Sequence, residues 1–267
     1  MVGASAQRLT AREGDNQLVV ENVSKRFGGV TAVQDVSLDV PRGSILSIIG
    51  PNGAGKTSLL NMISGFYKPD SGRIVLEGQD ITQKKPSDIG ALGIARTFQN
   101  IRLFEYMTAL DNVKVGKHVR MKAKLWDAIF RTPFARHEER DVSERAMEYL
   151  KFVGIERHAD NYARNLAYGQ QRRLEIARAL ATEPHLLLLD EPAAGFTPQE
   201  KVELMKLVDK IIAQGITVFL IEHDMKVVME VSQRIVVLDH GEKIAEGPPT
   251  EVRNNPRVIE AYLGKSA

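Results

Sequence analysis

The sequence predicts an α/β fold, and three observations predict it. Apolar, strand-sized segments recur at 44–49, 186–189 and 216–221, as in strands buried on both faces. A glycine-rich loop, "GPNGAGKT", joins the first of these to a helix-like run. Between the other two lies "PQEKVELMKLVDKIIAQG", an amphipathic helix with Pro198 near its start and Gly215 past its end. Strand, helix, strand with glycine turns is the pattern of an α/β sheet.

Each element can be justified in order. "LVVENV" and "VSLDV" alternate as half-buried strands do, and "SILSIIG" is apolar throughout. "GRIVLEG" at 72–78 reads as a short strand between turns. From about Met107 to Ala163 helix formers and charges dominate, which predicts an inserted helical lobe. "HLLLLD", "ITVFLIEHD" and "RIVVLDHGEKIAEG" then return to the buried-strand pattern. Within the insert, residues 114–140 hold eight Lys/Arg against three Asp/Glu, with Trp126, Ile129, Phe130 and Phe134 as an apolar stripe. That segment is either a solvated basic face over a packed lobe or a surface beside anionic lipid or a membrane protein's loop. His118 and His137 have no metal-ligand spacing and read as surface residues.

A chain of 267 residues can bury one large core with a smaller appended lobe. With 43% hydrophobic and 26% charged residues it is a globular composition rather than a disordered one. The formal net charge of +2 gives no global field that points to nucleic acid. The absence of cysteine excludes disulfides, Cys-based zinc sites and thiol catalysis. The polar start, "MVGASAQRLTAREGDNQ", has no signal-type apolar stretch, and no run approaches the ~18–20 residues of a membrane span. The expectation is a chain that does not cross a membrane by itself.

The loop Gly50–Thr57 has the form G-x-x-x-x-G-K-[ST] between a buried strand and a helix, the context such a phosphate loop requires. Glycines let backbone N–H groups turn toward phosphates, and the helix adds its positive end. Lys56 is placed to bridge the outer phosphates and the Thr57 hydroxyl to ligate Mg2+. "LLLLDEP" brings Asp190 and Glu191 out at a strand end, where α/β sheets bind ligands. Asp190 is suited to hold Mg2+ through water, and Glu191 to take a proton from an attacking water. His223, ending the next buried strand in "FLIEHDM", can donate to the terminal phosphate; the bland reading is a structural histidine. Gln99 in "RTFQN" is either a plain loop glutamine or a side chain that reaches the metal and the water.

These motifs, in this order, resemble the nucleotide-binding subunit of ABC transporters over about residues 17–264. The resemblance identifies Walker A at 50–57, the Q-loop at Gln99, the signature at 166–170, Walker B at 186–190 with Glu191, and the H-motif at His223. It implies a P-loop NTPase (RecA-like) core with an antiparallel β subdomain and an inserted α-helical subdomain, the ABC ATPase fold. The implied division is one domain, 17–267. Residues 17–100 and 165–247 form the catalytic core with the β subdomain, and 101–164 the helical subdomain. Residues 248–267 form a C-terminal helical tail, and 1–16 a polar extension. The implied ligands are ATP and Mg2+. ATP binding falls to Gly50, Pro51, Asn52, Gly53, Ala54, Gly55, Lys56, Thr57 and Ser58, with Phe27 stacking on adenine unless it is a core side chain. Metal binding falls to Thr57, Gln99 and Asp190, and catalysis to Glu191, His223 and Gln99.

Relatives of this kind work as head-to-tail dimers, so Leu166, Ala167, Tyr168, Gly169 and Gln170 serve the neighbour's ATP with a helix start placed at Gln170. Here "LAYGQ" stands where L-S-G-G-Q is usual, so one hydroxyl donor is missing, and Thr197 replaces the usual D-loop Asp. The wording of "NLAYGQQRRLEIARAL", "DEPAAGFTP", "IEHDM" and "NNPRVIEAYLG" is similar to the LivG type, the ATP-binding subunits of branched-chain amino acid importers. That implies a peripheral protein on the cytoplasmic side of the membrane. Its partners would be a second ATPase subunit (LivF-like) or a second copy, two permeases and, indirectly, a periplasmic solute-binding protein. Nucleic acid is not expected as a partner. Related importers carry urea or short amides. The competing readings are a soluble ABC ATPase of translation or DNA maintenance, and a dimerisation module that binds ATP without turnover. One cassette, a short insert and no basic stripe argue against the first; Glu191 and His223 argue against the second.

Overall fold

The computed structural model describes residues 16–117 and 133–263, with side chains described for 16–117 and 139–262. The apolar stripe at 126–134, His118 and His137 therefore lie outside the described side chains, as does nearly all of the N-terminal extension.

Two sheets are stacked. The first is antiparallel, in the order β2-β1-β4-β5, from β1 (Asn16–Phe27), β2 (Val30–Pro41), β4 (Ser71–Leu76) and β5 (Gln79–Asp80). The second runs in the order β10-β9-β3-β8-β7-β6. It contains β3 (Ile45–Ile49), β6 (Ile94–Arg96), β7 (Leu186–Asp190), β8 (Thr217–Ile221), β9 (Arg234–Asp239) and β10 (Glu242–Gly247). It is parallel except for the edge strand β10, which pairs antiparallel with β9.

The apolar runs explain the layering. In β7, Leu186 and Leu188 face the interior between the sheets, while Leu187 and Leu189 join the core on the opposite face, the period of two that a pleated strand imposes. Strands β3, β7 and β8 are buried at every residue, as their unbroken apolar character requires. Helix α1 (Lys56–Ile63) fills the space between the sheets with Leu59, Leu60, Met62 and Ile63. The other face is covered by α3 (Ala109–Lys117), α4 (Pro133–Val153), α5 (Tyr168–Leu180) and α6 (Pro198–Ala213). Helix α5 packs on α3 and α4 and, with Ala181 at its C-cap, also contributes Leu174, Ala177 and Leu180 to the sheet-facing core, the stripe its sequence spacing anticipates. Short helices α2 (Pro86–Ala91), α7 (Met225–Val231), α8 (Pro249–Arg253) and α9 (Pro256–Leu263) complete the chain.

Several boundaries differ from the sequence reading. Strands β1 and β2 each run for twelve residues, because bulges near Val23 and Lys25 let the ladder bend and continue. "RIVVLDHGEKIAEG" is a hairpin rather than one strand. His240 (φ 46°) and Gly241 (φ 85°) both take positive φ, as a tight two-residue turn demands. Strand β6 and helix α2 were not anticipated; three residues of strand carry too little periodicity to be seen.

Phe219, in the centre of β8, is fully buried between the sheets. Phe219→Ala should lower the unfolding free energy by about 3–5 kcal/mol in chemical denaturation; a loss below 1 kcal/mol would mean that the interior collapses around the gap.

Candidate functional site

Three parallel neighbours, β3, β8 and β7, end on one edge, and each delivers a chemical group there. After β3 comes the loop 50–55, whose backbone is fixed by glycine. A Cβ at Gly50 would collide with the Leu238 carbonyl oxygen, and one at Gly55 with that of Ala32. Both residues also have positive φ, 150° and 98°. Helix α1 begins at Lys56, two residues earlier than the apolar pattern suggests, with Gly55 as its N-cap. Lys56 is buried, and its ammonium donates to the carbonyls of Gly50 (2.7 Å) and Pro51 (2.9 Å), so the side chain curls back over its own loop. Burial lowers its pKa, and the Glu191 and Asp190 charges oppose that shift. Asn52, Gly53 and Thr57 are exposed on the loop, Pro51 and Ser58 half-buried and Ala54 buried.

At the end of β7 the two acids part. Asp190 is buried and pairs with Arg96 from β6 at 2.9 Å. Desolvation raises the Asp190 pKa, and the Arg96 hydrogen bond counters it. Arg96 also donates to Asn61 on α1 (2.7 Å) and to Ser64 at its C-cap (2.8 Å), which locks β6, β7 and α1 together behind the loop. Glu191 takes φ 47°, a conformation that costs a non-glycine residue on the order of 1–3 kcal/mol. Its N–H donates to the Ile221 carbonyl (2.9 Å), which holds this turn on the end of β8.

Two side chains converge on the Glu191 carboxylate. Gln99 Nε2 donates to Oε2 at 2.9 Å, and His223 Nδ1 lies 3.5 Å from the same oxygen. Thr57, Gln99 and Asp190 line one cleft of about 340 Å³ with Arg96, Phe98 and Tyr67. Hydroxyl, amide and carboxylate oxygens are the donor set that a hard cation such as Mg2+ selects. Among the described residues no cluster of three or more His, Cys, Asp and Glu forms a conventional metal site, since two of these three donors are Thr and Gln.

Phe27 is not a core side chain. It is exposed, at the tip of the β1–β2 hairpin that touches the loop through Ala32, and its ring meets Tyr67 edge-on at 5.1 Å. The residues 166–170 form the turn that opens α5. The helix starts at Tyr168 rather than Gln170, with Ala167 as N-cap. Gln170 reaches back to the Ala167 N–H (3.0 Å), which is half of a capping box; Ala167 has no hydroxyl for the other half. Leu166 is buried beneath the turn, and the first-turn N–H groups of α5 have no acceptor within the helix. Thr197 makes the complete version at α6. It accepts from Glu200 N (3.3 Å), and its own N–H donates to Glu200 (2.8 Å), so this replacement keeps a helix cap.

Sequence reasoning missed Arg96, Tyr67 and Glu222. Glu222 is fully buried and accepts from the N–H groups of Ala193 (2.7 Å), His223 (3.0 Å) and Asp224 (3.3 Å), fastening the end of β8 to the turn after Glu191. A carboxylate beside His223 in "IEHD" was the available signal. Asp224 caps α7 through Lys226 N (2.9 Å) and Val227 N (3.2 Å).

A glycine loop that closes over a lysine, with an acid and two polar groups at neighbouring strand ends, defines a nucleotide-hydrolysing cassette. Residues 33–194 match the family described as ABC transporter, and residues 242–267 match the branched-chain amino acid ATP-binding cassette transporter family. The chain belongs to the ABC transporter family of ATP-binding proteins, and it is an ATPase of that type. It is 46% identical over 250 residues to the Salmonella typhimurium high-affinity branched-chain amino acid transport ATP-binding protein LivG. That alignment covers 93% of this chain and 98% of the relative. The Pseudomonas aeruginosa protein BraF, of the same description, gives 46% with the same coverage. Among solved structures, the ADP conformation of an ATP-binding cassette of an ABC transporter superposes with a TM-score of 0.82. The two are 36% identical, covering 94% of this chain and 99% of that one. A dimeric cassette bound to ADP and Pi gives 0.74 at 28% identity, over 87% and 98%.

Two outcomes follow from this geometry. Arg96→Met leaves the buried Asp190 carboxylate unpaired and should cost about 3–5 kcal/mol at neutral pH. A carboxyl whose folded pKa is raised is penalised above that pKa and not below the unfolded value. The deficit relative to wild type should therefore shrink as acid titration protonates Asp190; a deficit independent of pH would show that the arginine acts by packing alone. Ala167→Ser supplies the absent half of the capping box and should add about 0.5–1 kcal/mol to stability, read from the denaturation midpoint.

Proposed function

We propose that this chain is the ATP-hydrolysing subunit of an importer for branched-chain amino acids. The observation that carries the catalytic part is the convergence of Gln99 and His223 on the Glu191 carboxylate, beside the phosphate loop. The solute assignment draws its support from the relatives named above and from the family match at the C-terminus.

In this reading Gly50, Pro51, Asn52, Gly53, Ala54, Gly55, Lys56, Thr57 and Ser58 cradle the phosphates of ATP. Lys56 spends two of its three N–H donors on the loop carbonyls and keeps the third for a phosphate oxygen. Phe27 offers an exposed ring to adenine. Thr57, Gln99 and Asp190 hold Mg2+, which neutralises charge on the outer phosphates. Glu191 is the general base. Its Oε2 is engaged by Gln99, so Oε1 is the oxygen left to take the proton from the attacking water. His223, half-exposed beside the same carboxylate, orients that water or the terminal phosphate. Leu166, Ala167, Tyr168, Gly169 and Gln170 present the N-terminus of α5 to the ATP of a neighbouring cassette.

The proposed assembly pairs this chain with a second, LivF-like ATPase subunit or a second copy. Two permeases and, indirectly, a periplasmic solute-binding protein complete it. No helix among the described residues is long and apolar enough to cross a membrane, which fits a peripheral subunit; we place it on the cytoplasmic face. An apolar cleft of about 380 Å³ between the sheet and the helical lobe, lined by Phe66, Phe98 and Phe104, lies beside Gln99 and suits a permease contact. The division into core, helical subdomain (101–164) and tail (248–267) belongs to the same proposal.

Two measurements test this. Glu191→Gln should reduce turnover of the assembled transporter by roughly 10²–10⁴-fold while ATP still binds; turnover near wild type removes Glu191 from the role. Solute-stimulated ATPase of the reconstituted complex should respond to leucine, isoleucine and valine. Stimulation by urea or a short amide instead would assign a different importer.

A further inference from the structure

The opening turn of α5 is wired to the Glu191 carboxylate through Arg172 and Glu175, two side chains to which the proposed chemistry gives no role. Tyr168 is about half exposed at the start of the helix. Its ring meets Phe196 edge-on at 6.3 Å, and a Cβ on Gly195 would sit 3.3 Å from that ring, so the aromatic lies on the turn leading away from Glu191. One turn further along α5 is Arg172, which is fully buried. Its guanidinium donates to the Tyr168 hydroxyl (3.3 Å), the Phe98 carbonyl (2.6 Å), the Gln99 carbonyl (2.8 Å) and Glu175 (2.8 Å). Glu175, also buried, accepts from the N–H groups of Phe98 (3.2 Å) and Arg102 (3.4 Å). The segment carrying Gln99 is thus gripped from both sides by one ion pair on α5. Gln99 in turn donates to Glu191.

The contacts form a closed ring: Tyr168, Arg172, the Gln99 backbone, the Gln99 side chain, Glu191, then the chain through Gly195 and Phe196 back to Tyr168. Arg172 Nε is buried with no partner, so this guanidinium is desolvated beyond what its contacts satisfy. An arginine held at such cost is held for the groups it joins. Resting on the reading of Glu191 as the base, we propose that Tyr168 is a positioning residue. Through Arg172 it links the N-terminus of α5, where a neighbouring cassette's nucleotide sits, to the placement of Gln99 and Glu191 in its own chain. Contact at the half-exposed ring would move Arg172, and with it the Gln99 backbone. Each cassette's base would thereby be set by the occupancy of the adjoining site.

The test uses the full chain in the assembled transporter. Tyr168→Phe keeps the ring on Phe196 and removes only the hydroxyl. The link predicts that kcat falls about tenfold, the equivalent of one hydrogen bond to a charged group, with KM for ATP within twofold. It also predicts faster amide hydrogen exchange over 97–103, while the Tm stays at the wild-type value. Wild-type kcat, wild-type exchange at 97–103, or a rise in KM alone overturns it, since a packing residue or a direct nucleotide contact gives those patterns. Glu191→Gln in the same assembly separates the two claims. If it retains turnover, the base assignment fails; if it is silent while Tyr168→Phe matches wild type, only the link fails.

Discussion

The common ending of three adjacent parallel strands is the constraint on which the site depends. β8 lies between β3 and β7, so the loop after β3, the acids after β7 and the histidine after β8 must meet at one edge. The sheet can impose this because its strands are buried on both faces and their pairing leaves no register freedom. A one-residue slip of β7 would turn Leu186 and Leu188 out of the interior between the sheets and move Asp190 off Arg96. Core packing and site geometry are therefore the same specification.

Strain and buried charge gather where the chemistry is. Glu191 holds a left-handed backbone, kept there by its own N–H on β8 and by Glu222 gripping the turn that follows. Asp190–Arg96 and Glu175–Arg172 are buried ion pairs that do little for net stability but leave each partner one acceptable position. Both pairs reach across long stretches of chain to segments carrying proposed ligand groups. Rigidity at these points lets a small number of polar atoms, on Thr57, Gln99, Glu191 and His223, be held at fixed separations.

The sequence made the glycine loop, the strand-end acids and the buried strands legible because each is a local signal: glycine spacing, apolar runs, a polar residue at a run's end. Arg96, Tyr67 and Glu222 were not legible as site residues. Their partners lie far away along the chain, as Asp190 does from Arg96 and Ala193 from Glu222. Nothing in "GIARTFQN" says that its arginine turns inward to a distant aspartate. The α5 start was placed two residues late because a helix cap at alanine gives no side-chain signal, whereas the His240–Gly241 hairpin did have one, the polar "DHGE" that interrupts the apolar pattern.

The central claim is that Glu191 stands over the terminal phosphate of a nucleotide gripped by the loop of its own chain. The most direct measurement is a structure of the assembled transporter with a non-hydrolysable ATP analogue and Mg2+. The account predicts the Glu191 carboxylate one water's width from the terminal phosphorus, with Lys56 on the same phosphate group. A terminal phosphate flanked by a different acid, with Glu191 turned away from it, would contradict the account.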